Sequence, residues 1–181
     1  MNVTEPDMEA VVAEFYAPLY RFALSLAGSV APACDLTQET FYRWLTHGTE
    51  LRDPTKVKSW LFTTLYREFL RGSRRTIRFP HHELEEVESE LPAIEPADME
   101  QLDGRLAMQA LQQVEENYRA PLSLFYLESC SYAEIAETLD IPIGTVMSRL
   151  SRGRDQLRRH LRNLLSEEDQ KVIPFLQAKA G

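Results

Sequence analysis

The sequence has 181 residues, and 44% of them are hydrophobic, which is enough to build one ordinary folded domain or two small ones. No stretch approaches the roughly 18 consecutive apolar residues of a transmembrane helix, and the N-terminus lacks the basic and then apolar layout of a signal peptide. Two distant cysteines indicate neither a disulfide framework nor a zinc site, so we expect a cytoplasmic protein with no membrane insertion.

The net charge of −8 argues at first against a nucleic-acid partner, but the charge is unevenly distributed. Residues 81–104 contain nine acidic side chains and no lysine or arginine, whereas residues 11–80 carry a net +4 and residues 105–164 a net +1. We therefore expect two neutral-to-basic folded units joined by an acidic connector.

Three helices are predicted before the connector, at residues 8–27, 32–46 and 54–71, because apolar side chains recur there at helical spacing. In the second helix we expect a buried side formed by Leu36, Thr40, Phe41, Trp44 and Leu45. The opposite, polar side consists of Asp35, Gln38, Glu39 and Arg43.

The third predicted helix ends in a basic cluster that is interleaved with aromatic residues. Proteins that bind single-stranded nucleic acid stack bases on such rings and hold the backbone with arginines. In a unit of about seventy residues, however, we expect Trp60 and Phe69 to be core residues. The sequence leaves both interpretations open for Phe62 and Tyr66.

Residues 80–104 combine nine acids with three prolines and predict a flexible linker at the domain boundary. His81 and His82 have no partner cluster, so no metal site is predicted. No combination of nucleophile, base and metal ligands is present, and we expect neither an enzyme nor a cofactor.

After the linker, one helix is predicted from Arg105 and another from Pro121, followed by a helix-turn-helix. Its first helix, residues 132–139, is preceded by Ser131 with Glu134 three residues on, which is the capping-box pattern. Its second helix begins after Pro142. The tail, residues 165–181, either docks or is disordered.

In the second helix, Ile143, Val146 and Leu150 are predicted to face inward. The opposite face is small, polar and cationic, which suits the major groove of DNA. A helical hairpin with a solvated arginine face is an alternative that this motif alone leaves open.

Three segments occur in a fixed order around the linker: DLTQETFYRWL at 35–45, KSWLFTTLYREFLRGSRR at 58–75, and SYAEIAETLDIPIGTVMSRLSRGRDQLRR at 131–159. Together they resemble the extracytoplasmic-function sigma factors of bacterial RNA polymerase, over residues 11–163. The resemblance implies an all-α fold of two small helical domains: region 2 with three to four helices at 8–79, and region 4 with four helices at 105–164. The acidic linker at 80–104 would join them, and the tail at 165–181 would follow.

For function, the resemblance implies a sigma factor that directs core RNA polymerase to specific promoters, binds minus-thirty-five DNA and melts minus-ten DNA, in a bacterial stress response. Its partners would be core polymerase, promoter DNA and an anti-sigma factor. Two alternatives remain: a sigma-like protein that binds only an anti-sigma factor, and a stand-alone helix-turn-helix regulator.

Site residues follow from the matched motifs. The resemblance assigns core polymerase binding to Asp35, Gln38, Glu39 and Phe41. It assigns minus-ten DNA to Lys58, Trp60, Phe62, Tyr66, Arg67, Arg71, Arg74 and Arg75. It assigns minus-thirty-five DNA to Gly144, Thr145, Ser148, Arg149, Ser151 and Arg152.

Three positions depart from the family pattern. Arg67 stands where many relatives have asparagine, and Cys34 takes the place of a frequent acid. Asp140 replaces the common glycine of the helix-turn-helix turn, and we expect it to adopt the left-handed backbone conformation that aspartate tolerates.

Overall fold

The computed structural model describes residues 8–48, 51, 53–78 and 100–178, without the side chains of 73–78, 100–103 and 167–178. Its helices are α1 (Met8–Ala27), α2 (Val30–His47), a 3-10 turn (Pro54–Lys56), α3 (Val57–Arg78), α4 (Glu100–Gln112), α5 (Glu116–Tyr126), α6 (Tyr132–Leu139) and α7 (Ile143–Ala178). This part of the chain contains no strand, so the all-helical prediction is confirmed. Most of the predicted linker, residues 80–99, lies outside the described residues.

The first three helices enclose an apolar core whose largest members are fully buried, among them Leu19, Phe22, Leu61 and Leu65. Trp60 packs edge-on against Trp44, with ring centroids 5.3 Å apart, which confirms its predicted core role. The prediction that Leu45 is buried is wrong, because Leu45 is 58% exposed. It lies about 100° around α2 from Trp44, beyond the edge of the buried stripe.

The helix-turn-helix forms as its local sequence predicts. The Ser131 hydroxyl accepts a hydrogen bond from the Glu134 amide at 3.3 Å, and the Glu134 carboxylate accepts one from the Ser131 amide at 2.7 Å. Asp140 ends α6 in the left-handed conformation, at φ 54° and ψ 51°. Val146 and Leu150 are buried as predicted.

Two expectations in the C-terminal half are wrong. Pro121 does not begin a helix but lies inside α5, which starts at Glu116, and its buried ring compensates in part for the helical hydrogen bond that it cannot donate. Ile143 does not face inward and is 51% exposed. It is the first residue of α7, where the buried stripe that begins at Val146 has not yet started.

The two halves of the chain pack against each other. Helix α3 lies on α6, and α1 contacts both α4 and α5. Lys56 of the 3-10 turn also pairs with Glu137 of α6 at 3.5 Å. The predicted region 2 and region 4 units are therefore in a closed arrangement.

Helices α5 and α7 approach closely at Gly153. A Cβ atom on this residue would lie 2.9 Å from Leu122 Cδ1 and 3.0 Å from Tyr118 Cβ, closer than side-chain atoms normally pack. Gly144, on the exposed side of the same helix, has nothing within 4 Å of the corresponding position.

We predict that Gly153→Ala lowers the free energy of unfolding by about 1–3 kcal/mol, because the added methyl group overpacks the contact with α5. Gly144→Ala adds the same methyl group without a clash and serves as the matched control. Urea denaturation of the purified variants measures both, and a Gly153→Ala protein as stable as the Gly144→Ala protein would contradict the prediction.

Candidate functional site

The outward face of α2 presents part of the predicted polymerase-binding set. Asp35 and Gln38 are exposed, whereas Glu39 is engaged by Arg43 at 2.9 Å. Phe41 is only 7% exposed and its ring stacks on Tyr16, with centroids 6.3 Å apart. Phe41 therefore supports this face from the interior.

Sequence reasoning missed two members of that face. Tyr42 is 61% exposed and Leu45 is 58% exposed. Together with Asp35 and Gln38 they recur at intervals of three and four residues and form one stripe, which we call the α2 stripe. Large exposed apolar groups beside polar ones are typical of protein-binding surfaces. The spacing of Tyr42 and Leu45 from Asp35 and Gln38 is the sequence pattern that could have identified them.

Helix α3 holds the residues predicted to bind minus-ten DNA. Some of their side chains are exposed and others are buried. Arg67 and Arg71 are exposed, and Arg71 donates a hydrogen bond to Glu68 at 2.8 Å. Phe62 is 1% exposed and packs on Phe22 at 5.4 Å. Arg74 and Arg75 lie among the residues whose side chains are not described.

Helix α6 covers the buried side of this set. A pocket of about 200 Å³ lies between the two helices. Its walls include Lys58, Ser59 and Phe62 from α3, and Cys130, Glu134 and Thr138 from α6 and the residues before it. Phe62 is therefore not accessible to a DNA base in this arrangement.

A buried carboxylate lies at the centre of this closed contact. Glu128, in the loop between α5 and α6, has a side chain that is 4% exposed, and Arg21 of α1 approaches its Oε1 atom at 3.4 Å. Lys58 of α3 donates a hydrogen bond to the backbone carbonyl of Glu128 at 3.0 Å. Burial raises the pKa of Glu128, and the positive charges of Arg21 and Lys58 oppose this rise only in part.

A second polar contact joins the end of α1 to the C-terminal domain. Gln112 Nε2 donates to the carbonyl oxygens of Leu24 and Ser25 at 2.8 and 3.2 Å, and Arg119 donates to that of Leu26 at 3.3 Å. A helix ends with carbonyls that lack intrahelical partners, and cations and donors stabilise them. Burial lowers the pKa of Arg119.

One residue from each predicted DNA-binding set, Tyr66 and Arg149, also interacts electrostatically with the other. Tyr66 of α3 is half-buried, and burial raises the pKa of its hydroxyl. The charge of Arg149 on α7 opposes this rise, whereas that of Glu116 on α5 adds to it.

The residues predicted to bind minus-thirty-five DNA lie on the first turns of α7, and we call this set the recognition face: Gly144, Thr145, Ser148, Arg149, Ser151 and Arg152. Gly144, Ser148, Ser151 and Arg152 are exposed. Thr145 and Arg149 are half-buried at its margin. Arginine and small side chains on a helix-turn-helix of this form are suited to phosphates and base edges in the major groove.

Within the described ranges, no helix is both long and apolar enough to cross a membrane. The same residues contain no group of three histidine, cysteine, aspartate or glutamate side chains placed to hold a metal ion.

Both halves of the chain match known protein families. A family model described as "Sigma-70 region 2" matches residues 11–79, and one described as "Sigma-70, region 4" matches residues 105–157. The ECF RNA polymerase sigma factor SigL of Mycobacterium tuberculosis is 35% identical over 160 residues, which cover 87% of this chain and 90% of SigL. SigE of Mycolicibacterium smegmatis is 36% identical and matches 91% of this chain, which spans 65% of SigE.

One solved structure extends the comparison to three dimensions. It is the sigma factor RpoE in complex with the anti-sigma factor NepR from Bartonella quintana, which superposes with a TM-score of 0.72 and 29% identity. The match covers 86% of this chain and 97% of that one.

We predict that Glu128→Gln raises the free energy of unfolding at pH 7. A raised pKa in the folded protein means that burial favours the neutral form, so the ionised carboxylate costs stability above that pKa, and a neutral amide of the same shape removes the cost. As the pH falls through the raised pKa, wild-type Glu128 takes up a proton and the difference shrinks.

Urea denaturation at a series of pH values measures this difference. Glu137→Gln is the control, because the Glu137 and Lys56 side chains are 55% and 53% exposed and such surface pairs contribute little. A Glu128→Gln protein that is less stable than wild type at pH 7 would show that the ion pair with Arg21 outweighs the burial.

Proposed function

The chain belongs to the extracytoplasmic-function sigma factors of the sigma-70 family, and on that premise we propose how its surfaces divide the work of promoter recognition. As a sigma factor it directs RNA polymerase to promoters and carries out no enzymatic reaction of its own. The proposal concerns which residues act, in which arrangement of the domains, and with which further partner.

The α2 stripe binds core RNA polymerase. Asp35 and Gln38 supply polar contacts, and Tyr42 and Leu45 add apolar area that is exposed in the free protein. Interfaces concentrate their binding energy in such exposed aromatic side chains, which bury a large area at a low cost in conformational entropy. Glu39 contributes mainly by holding Arg43.

Helix α3 binds minus-ten DNA, with Arg67 and Arg71 on its exposed side holding the phosphate backbone. Lys58 and Phe62 act in the same step only when they are released from Glu128 and α6. The closed arrangement is therefore the state of the protein before it engages a promoter. This follows from the single observation that carries the proposal, the burial of the α3 face under α6.

The recognition face of α7 binds minus-thirty-five DNA. Arg152 is exposed and is placed to bridge two acceptors on a guanine edge, whereas Arg149 at the margin is placed for a phosphate. Binding of this bipartite kind requires core polymerase, because one short recognition face on a chain of net charge −8 supplies little affinity alone.

An anti-sigma factor is a further partner of this chain. The 29% identical relative of known structure is bound to one. Because this protein acts together with RNA polymerase, we propose that it acts in the cytoplasm. A sigma-like protein that binds only an anti-sigma factor would have no use for exposed arginines on α7, and a stand-alone regulator would have no use for the α2 stripe.

Transcription with purified core polymerase tests the proposed function. We expect specific initiation from a promoter library, and we expect Arg152→Ala to lose minus-thirty-five discrimination by about 1–3 kcal/mol per base pair contacted. Arg162→Ala, an exposed arginine farther along α7, is the control. Unchanged promoter choice by the Arg152→Ala protein would show that another surface contacts the element.

Fluorescence energy transfer tests the closed arrangement. Dyes on Cys residues substituted for Glu14 of α1 and Arg158 of α7, both exposed, should show high transfer in the free protein with Cys34 and Cys130 replaced by Ser. We expect transfer to fall when core polymerase and promoter are added, because the domains separate. A dye pair at positions 105 and 158, within one domain, should not respond.

Transfer that stays high in a complex that initiates transcription would contradict the opening step. It would leave the assignment of the α2 stripe and the recognition face untouched, because these surfaces are exposed in the closed arrangement.

A further inference from the structure

Two large apolar side chains are exposed beside the recognition face of α7. Ile143 is 51% exposed and Met147 is 53% exposed, although Val146 and Leu150 of the same turns are buried at 0% and 1%. Positions 143 and 147 are one helical turn apart and lie on the same flank. They are therefore not part of the hydrophobic core.

The residues next to this pair on the exposed side of α7 are small. The Ser148 hydroxyl donates to the Thr145 carbonyl at 3.0 Å, which leaves its oxygen free only as an acceptor. Gly144 has no side chain, and the space where its Cβ would lie is open. Ile143 and Met147 are therefore the large apolar side chains that the first two turns of α7 expose beside these small residues, and Arg152 follows five residues after Met147.

Among the base edges in the major groove, the C5-methyl group of thymine is the feature that apolar contact recognises. The other edges present hydrogen-bond donors and acceptors, which an isoleucine or a methionine cannot satisfy and would leave desolvated. The flanking arginines complement the charge of a phosphate backbone and would hold the helix against it.

From these observations we propose that Ile143 and Met147 recognise thymine methyl groups in the minus-thirty-five element. The inference rests on the proposed function, in which α7 binds this element. It adds two specificity-determining residues, and it commits the element to at least one thymine opposite the first two turns of α7.

Replacement of thymine by deoxyuridine tests this, because it removes the methyl group and leaves every hydrogen-bonding group of the base in place. The minus-thirty-five element is first selected from a library with the assembled polymerase, and each thymine is then replaced in turn. We expect one or two replacements to weaken binding about fourfold, the factor that corresponds to the burial of one methyl-sized group. Met147→Ala and Ile143→Ala should each lose the response at one of these positions.

Leu165→Ala is the matched control. Leu165 is 50% exposed on the same helix, five turns beyond Met147, and its removal should leave the deoxyuridine response of the wild type intact. The Arg152→Ala protein provides the reference for the recognition face itself.

The outcomes are distinct. A selected element without thymine, or deoxyuridine replacements without effect while Arg152→Ala alters promoter choice, would overturn the methyl contact and leave the proposed function standing. If neither Arg152→Ala nor deoxyuridine has any effect, the recognition face is assigned wrongly. If Met147→Ala weakens binding to core polymerase and leaves the deoxyuridine response unchanged, the apolar pair binds protein, and the inference fails.

Discussion

The closed arrangement buries the Glu128 carboxylate, whose side chain is 4% exposed, at the contact between the two domains. A buried charge is tolerated only when opposite charges and donors compensate for its lost hydration. The compensating groups, Arg21 and Lys58, belong to α1 and α3 and so come from the other domain. One loop residue between α5 and α6 therefore makes the position of each domain matter to the other, and the upward direction of its pKa shift indicates that the compensation is incomplete.

In the proposed function, this constraint gives Lys58 two mutually exclusive roles. Its ammonium group donates to the Glu128 carbonyl in the closed state, and the proposed DNA-bound state needs the same group at a phosphate. Phe62 is subject to the same choice, because its ring is enclosed between α1 and α6. In the proposed function, closure and promoter melting therefore compete for the same side chains. A ligand shifts such an equilibrium only by the difference between its affinities for the two states.

Local chemistry was predictable from the sequence, and contacts between distant segments were not. The capping box at Ser131 and the left-handed Asp140 depend on neighbours within four residues, and both predictions are confirmed. Leu45 and Ile143 were wrongly predicted to be buried. The burial of a hydrophobic residue at the edge of an apolar stripe depends on which other helices pack against that edge. No local pattern indicated that Glu128 would be buried and paired, because its partners Lys58 and Arg21 lie 70 and 107 positions away in the chain. The site residues taken from the family resemblance stay predictions, although the burial of Phe41 and Phe62 now shows which of them cannot act from the surface of the closed protein.

The last turn of α1 makes hydrogen bonds with the C-terminal domain, so it would be altered if the two domains were separated. Its terminal carbonyls are capped by Gln112 and Arg119, which lie more than eighty residues away in the chain. A helix normally finishes with groups close to it in sequence, or with water. Here Gly28 supplies a local cap, because its amide donates to the Leu24 carbonyl at 3.0 Å, and the C-terminal domain adds the donors for the carbonyls of Ser25 and Leu26. In an excised N-terminal domain these last two carbonyls would be left to water, so the end of α1 would be less firmly held than in the whole chain.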